Sequence, residues 1–113
     1  MSAPDLGAWL RRAQEVQTRL AALQRELARR TVDGSSGGGL VVATATGELR
    51  ILRIAIDPQL FASQDREMLQ DLVAAAVNAA LAEAQRVVQE EMQRAASALQ
   101  VPAGGQGPGP GAE

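Results

Sequence analysis

The sequence predicts an α+β subunit in which a β-hairpin is held between two long helices. Two observations carry this: residues 34–58 alternate β-branched and small residues around a Gly-Glu turn, and the segments on either side repeat apolar residues at helical spacing. A third is the Gly/Pro-rich composition of residues 102–113, which sets off a tail expected to be disordered from a single domain at residues 1–101.

The first helix is expected from Pro4, which suits an initial turn, to about Arg30. Leu6, Trp9, Ala13, Val16, Leu20, Leu23 and Leu27 follow alternating spacings of three and four, the seam of a heptad pattern. Glu15 with Arg19 and Glu26 with Arg30 are expected i,i+4 pairs. Arg11, Thr18 and Arg25, with Arg29 nearby, lie opposite the seam, either as a solvated face or as a binding surface.

Thr31-Val32-Asp33 is a candidate short first strand, followed by the Gly-rich turn at residues 34–39. A phosphate-cradling loop would need Gly-Lys-Ser/Thr and a helix after the glycines, and neither follows, so a turn is expected. In the hairpin, Gly47 and Glu48 are expected to form a type II′ turn with Gly47 at φ > 0. That register pairs Thr44 with Ile51, Ala43 with Leu52 and Val41 with Ile54. Val41, Ala43, Ala45, Leu52, Ile54 and Ile56 would then form the core face, and Leu40, Val42, Thr44, Thr46, Leu49, Ile51 and Arg53 an outer face apolar enough to meet a partner.

After Asp57-Pro58, one helical turn at Gln59-Leu60-Phe61 is expected, then a cap at Ser63 or Asp65 and a second long helix to about Leu99. Its stripe of Ala, Val, Leu and Met includes Ala76, Ala80 and Ala84, small enough for another backbone to come close. The two helices reach roughly 40 and 50 Å, too long for one small compact domain. Their ends must project or pack on a second subunit.

Composition removes several functions. The chain has neither Cys nor His, so disulfides, thiolate metal sites and the usual neutral-pH base are all missing. No nucleophile has an obvious activating partner, so no catalytic residue, metal, cofactor or small-molecule substrate is expected. Net charge is −2, which argues against bulk electrostatic binding of the histone kind. Charge is nevertheless polarised, because every basic residue is Arg and the first 33 residues concentrate them. No apolar run reaches the roughly 18 residues of a membrane span, and no secretory pattern opens the chain, so a cytoplasmic protein is expected.

Three stretches also carry a family likeness: Gly34-Ser35-Ser36-Gly37-Gly38-Gly39-Leu40-Val41, Ile54-Ala55-Ile56-Asp57-Pro58-Gln59-Leu60, and the run from Glu67 to Ala80. In order and spacing the chain resembles the YbaB/EbfC family of bacterial nucleoid-associated proteins. The resemblance implies an α-β-β-β-α subunit with a three-stranded antiparallel sheet, a tweezer-like homodimer, and binding of double-stranded DNA in the nucleoid without enzymatic activity. It departs from the family pattern at Ala79, at Thr46 and in having no lysine. On this reading the candidate DNA contacts are Arg11, Arg12, Arg19, Arg25, Arg29 and Arg30. The competing reading of the heptads and the Ala stripe is a dimeric protein-interaction scaffold that does not touch DNA.

Overall fold

A computed structural model describes residues 5–99, and the expected tail at residues 102–113 lies outside them. Along the chain run α1 (Leu6–Arg29), β1 (Thr31–Ser36), β2 (Val41–Thr46), β3 (Ile51–Ile56), α2 (Pro58–Ser63) and α3 (Arg66–Leu99). The strands form one antiparallel sheet in the order β1-β2-β3, as expected of an α-β-β-β-α subunit.

Local chemistry sets the boundaries. Asp5 caps α1 by accepting the Ala8 N–H at 3.1 Å, and Asp65 caps α3 by accepting that of Met68 at 3.0 Å. Asp57 caps α2 with Pro58 in its first turn, and Gln64, in the left-handed region at φ 58°, ends it. The glycine triplet forms the β1–β2 turn, with Gly37, Gly38 and Gly39 all at positive φ, which side chains resist. β1 itself is longer than expected, continuing through Gly34 to Ser36.

Packing centres on the contact between α3 and the first two strands. Ala76, Ala80 and Ala84, each four residues apart on one stripe, are fully or almost fully buried against Val41, Ala43 and Ala45. Gly34 completes this contact. A Cβ at that position would overlap the Ala80 amide and come within 2.6 Å of both the Ala79 carbonyl carbon and the Ala80 Cα. The sheet therefore sits on α3 backbone to backbone. At the strand's end the Ser36 hydroxyl donates to the Leu72 carbonyl at 2.6 Å, fixing the register of β1 along the helix.

The second hairpin differs from expectation in turn and in register. Its loop holds three residues, with the Leu49 N–H donating to the Thr46 carbonyl at 2.8 Å and the Thr46 N–H to that of Arg50 at 2.9 Å. Leu49, at φ 67°, takes the left-handed conformation expected of Gly47. Gly47 is needed for space instead: its N–H donates to the Arg30 carbonyl at 3.0 Å, and a Cβ would overlap the Leu27 carbonyl oxygen.

The longer loop moves the register by one residue, and a bulge between Thr44 and Ala45 moves it by another. Val41 thus pairs with Ile56, Ala43 with Ile54 and Thr44 with Arg53. A shift of two restores the side on which a residue points, so Ile56 packs on the core as expected, but Ile54, expected in the core, is 39% exposed although it pairs with Ala43. Between loop and bulge the assignment is reversed: Ile51, opposite Ala45, packs on the core, while Leu52 is 59% exposed. Thr46, expected outside, is buried, with its hydroxyl accepting the Glu48 N–H at 3.2 Å.

α1 lies apart from this core. It runs antiparallel to the far part of α3, with Gln24, Leu27 and Ala28 near Val88 and Met92, and Arg12, Glu15, Val16 and Arg19 near Ala98. The molecule is accordingly elongated, 78 × 35 × 15 Å, and its radius of gyration of 21.9 Å far exceeds the roughly 13 Å of a compact domain of about 100 residues.

Gly34→Ala should destabilise the protein by about 1–3 kcal/mol or more, since the added methyl meets backbone that cannot turn aside. Chemical denaturation monitored by circular dichroism measures this. An unchanged midpoint would show that sheet and helix are free to move apart.

Candidate nucleic-acid interface

The candidate surface is built on α1, a helix that needs only one face for folding. Its seam turns Val16, Leu20, Leu23 and Leu27 toward the rest of the chain, and Leu27 is buried. Around the axis Arg11, Arg25 and Arg29 lie within roughly 40° of one another on the opposite side. Arg12 and Arg19 occupy a flank of the seam and border a cavity of about 270 Å³ with Glu15, Val16 and Ala98. All five arginines are exposed.

Arg30 stands differently. It follows the last helical residue, its N–H bonding the Leu27 carbonyl at 3.1 Å, and its guanidinium reaches Glu91 on α3 at 3.6 Å. The expected Glu26–Arg30 pair is therefore replaced by a link between helices, because the chain leaves the helix before Arg30 can fold back on Glu26. Glu15 and Arg19 are also not within ion-pair distance among the described residues. The structure thus brings Arg11, Arg25 and Arg29 into one row, Arg12 and Arg19 into another, and leaves Arg30 tied to α3.

On the far part of α3 the basic groups are neutralised, whereas Arg66, in its first turn, has no carboxylate within 4 Å among the described residues. Arg86 forms a two-pronged hydrogen bond to Glu83, at 3.0 and 2.6 Å, and meets Glu90 at 2.9 Å. Arg94 bonds Glu91 at 2.8 Å. By contrast, Arg11, Arg12, Arg19, Arg25 and Arg29 have no carboxylate within 4 Å among the described residues. A phosphate approaching α1 displaces water alone, whereas at Arg86 it must compete with two carboxylates. Sequence reading missed the Arg30–Glu91 link, since nothing local ties residues so far apart in the chain.

No group of three potential metal-ligating side chains occurs among the described residues, and no helix there is long and apolar enough to cross a membrane. Two depressions along α1, one beside Arg11, Thr18 and Arg19 and one beside Asp5, Trp9 and Arg12, are open, suited to an extended polymer rather than to an enclosed small molecule.

Comparison with known proteins adds an independent line. The family model described as the YbaB/EbfC DNA-binding family matches residues 1–99. A nucleoid-associated protein of Chlorobium phaeovibrioides is 40% identical over 103 residues, covering 91% of this chain and 93% of its own. Another from Streptomyces griseus is 48% identical over 89 residues, covering 79% and 78%. In structure, the chain is similar to an uncharacterized protein of Helicobacter pylori with a TM-score of 0.57 at 22% identity, covering 88% of this chain and 97% of that one, a likeness of fold.

The Arg86 cluster makes a prediction of its own. The hydrogen bond from Arg86 holds the Glu83 carboxyl below its ordinary range, so any stabilisation from this pair is present at neutral pH and disappears as pH falls through that lowered value. Arg86→Gln should return the Glu83 titration, followed by NMR, toward the ordinary carboxylate range. The melting temperature at neutral pH should barely change, because an exposed pair contributes little.

Proposed function

The chain belongs to the YbaB/EbfC DNA-binding family, and from that premise we propose that it is a nucleoid-associated protein that holds double-stranded DNA by phosphate contacts from α1, as a homodimer and without enzymatic activity. The observation that carries the proposal is the set of exposed arginines on α1 that lack carboxylate partners among the described residues.

The row from Arg11 to Arg29 spans roughly 27 Å at 1.5 Å per residue, approaching one turn of B-DNA at about 34 Å. Such a row can follow the backbone of a duplex. Phosphate contacts position a protein without reading bases, so binding has little sequence preference. With a net charge of −2 and few arginines engaged, affinity is modest and falls with salt. Arg12 and Arg19 extend the surface along the flank, and Arg30 contributes less because Glu91 competes for it. The nucleoid is the location that follows from this activity.

Dimerisation is supported by apolar groups at the sheet end of the subunit. Leu52, Ile54 and Phe61 are exposed there, near the unpaired edge of β3. Pairing two subunits at this end places two α1 helices on one particle, and so two arginine rows. Light scattering at micromolar concentration should return twice the 11.8 kDa of the chain, while a folded species of single mass would reject the dimer.

DNA binding is tested by gel shift on unrelated duplexes at several salt concentrations. Neutralising Arg11 and Arg25 to Gln should weaken binding to all duplexes alike and flatten the salt slope by about 0.9 log unit for each phosphate that is no longer neutralised. The chain has no His, so affinity should hold between pH 6 and 7. Unaltered affinity and slope in the double variant would place the DNA-binding surface elsewhere, and no shift at low salt would remove DNA as the partner.

A further inference from the structure

α1 carries its apolar seam along its whole length, yet α3 is placed to meet only part of it. Ala98, near the end of the described α3, already lies beside Val16. The seam residues before that point stand in the open, with Leu6 67% and Trp9 68% exposed and Leu10, next to them, 56%. A single exposed leucine needs no explanation, but an aromatic and two leucines clustered on two turns of helix form a surface. Further along α1 the same spacing of three and four packs against a helix, so this tip has the form of a helix-packing surface that continues an existing interface.

The flanking charges identify the occupant. We propose that the α1 tip binds the α1 tip of a second copy in antiparallel orientation, separately from the sheet-end contact, so that one particle can be linked to another. In heptad terms Leu6 and Trp9 hold the a and d positions, and Asp5 and Arg12 hold successive g positions. With Leu6 of one copy over Trp9 of the other, antiparallel packing sets Asp5 of each copy beside Arg12 of its mate. Two-fold symmetry makes both ion pairs at once. A parallel arrangement would set g positions against e positions, here Leu10 and Gln17, and leave both charges unmet. Within one chain Asp5 and Arg12 are not ion-paired with each other, and the Asp5 carboxylate that caps α1 keeps a second oxygen for a partner.

The contact is small. A buried Trp contributes on the order of 150–250 Å², so even with its leucines the patch stays below the roughly 1,000 Å² of a stable interface. Association through it is therefore weak in free solution and gains strength where copies are held side by side, as on a shared duplex. That last step rests on the DNA-binding reading; the tip contact does not.

Trp9 is the only tryptophan, so its emission reports on this surface alone. The full-length protein, free of DNA, is titrated from nanomolar to high micromolar concentration while tryptophan emission and sedimentation equilibrium are recorded. Emission should move to the blue as the mean mass rises above that of the low-concentration species. Leu6→Glu should raise the midpoint of both changes roughly a hundredfold or more, as expected when two-fold symmetry removes an apolar side chain from each copy, and leave the low-concentration species intact. Asp5→Arg and Arg12→Asp should each weaken association, and mixing the two variants should restore it, with circular dichroism confirming that α1 survives without its cap. A mass and an emission that never change with concentration would overturn the proposal. So would emission that moves only when a duplex is added, which would make the tip a DNA contact, and so would emission already blue at nanomolar concentration and unmoved by Leu6→Glu. Because no DNA is present in the titration, failure here leaves the DNA-binding reading standing, and failure of the gel shift leaves this one standing.

Discussion

The subunit depends on the absence of a side chain at Gly34. With nothing projecting from that point of β1, the strand lies directly on the backbone of α3 at Ala79 and Ala80. Everything else in the core is scaled to that distance. Ala76, Ala80 and Ala84 face Ala43 and Ala45 across it, and among the fully buried side chains Val41 is the largest. A core of small groups buries little apolar area per residue, so its stability comes from close contact along a long helix rather than from a few large side chains. This explains how a chain with 2% aromatic residues still forms a defined sheet. It also explains the length of α3, because many short side chains are needed where a few long ones would otherwise serve.

The same economy separates folding from function. α3 spends its best packing surface on β1 and β2, and its Arg86 and Arg94 are held in pairs with Glu83, Glu90 and Glu91. α1 contributes only its seam near Leu27 and the Arg30–Glu91 link, so most of its circumference is free of folding constraints. Unpaired positive charge can accumulate there without cost to the core. The family match covers residues 1–99, but the stretches through which the family is recognisable in the sequence belong to the sheet and α3. They report the scaffold more directly than they report the surface that meets DNA.

The hairpin shows how far local reading reaches. The turn was legible at Gly47, yet the reason for the glycine was not: it makes room for the Leu27 carbonyl, which arrives from another element. Leu49 takes the strained conformation instead, and this lengthens the loop by a residue. The bulge then adds a second step, so Ile56 was placed correctly on the core from a register that was wrong by two, while Ile54 was not. Ile51 and Leu52, lying between loop and bulge, exchanged roles because there the displacement is odd. At the candidate site, α1 and its arginine rows followed from helical spacing, while the diversion of Arg30 to Glu91 depended on an antiparallel neighbour.

What the sequence by itself determined is whatever repeats within a few residues: both long helices, the β2–β3 hairpin, the small-residue stripe on α3 and the direction in which Arg11, Arg25 and Arg29 point. Helical and strand periods are short-range properties, so spacing alone carries them. The tertiary structure decided which glycine is needed for space, which of Ile51 and Leu52 is buried, and which arginines are left without a carboxylate. Those outcomes turn on backbone and charge brought together from distant parts of the chain, Gly34 to Ala80, Gly47 to Leu27 and Arg30 to Glu91, and no local pattern encodes the distances between them.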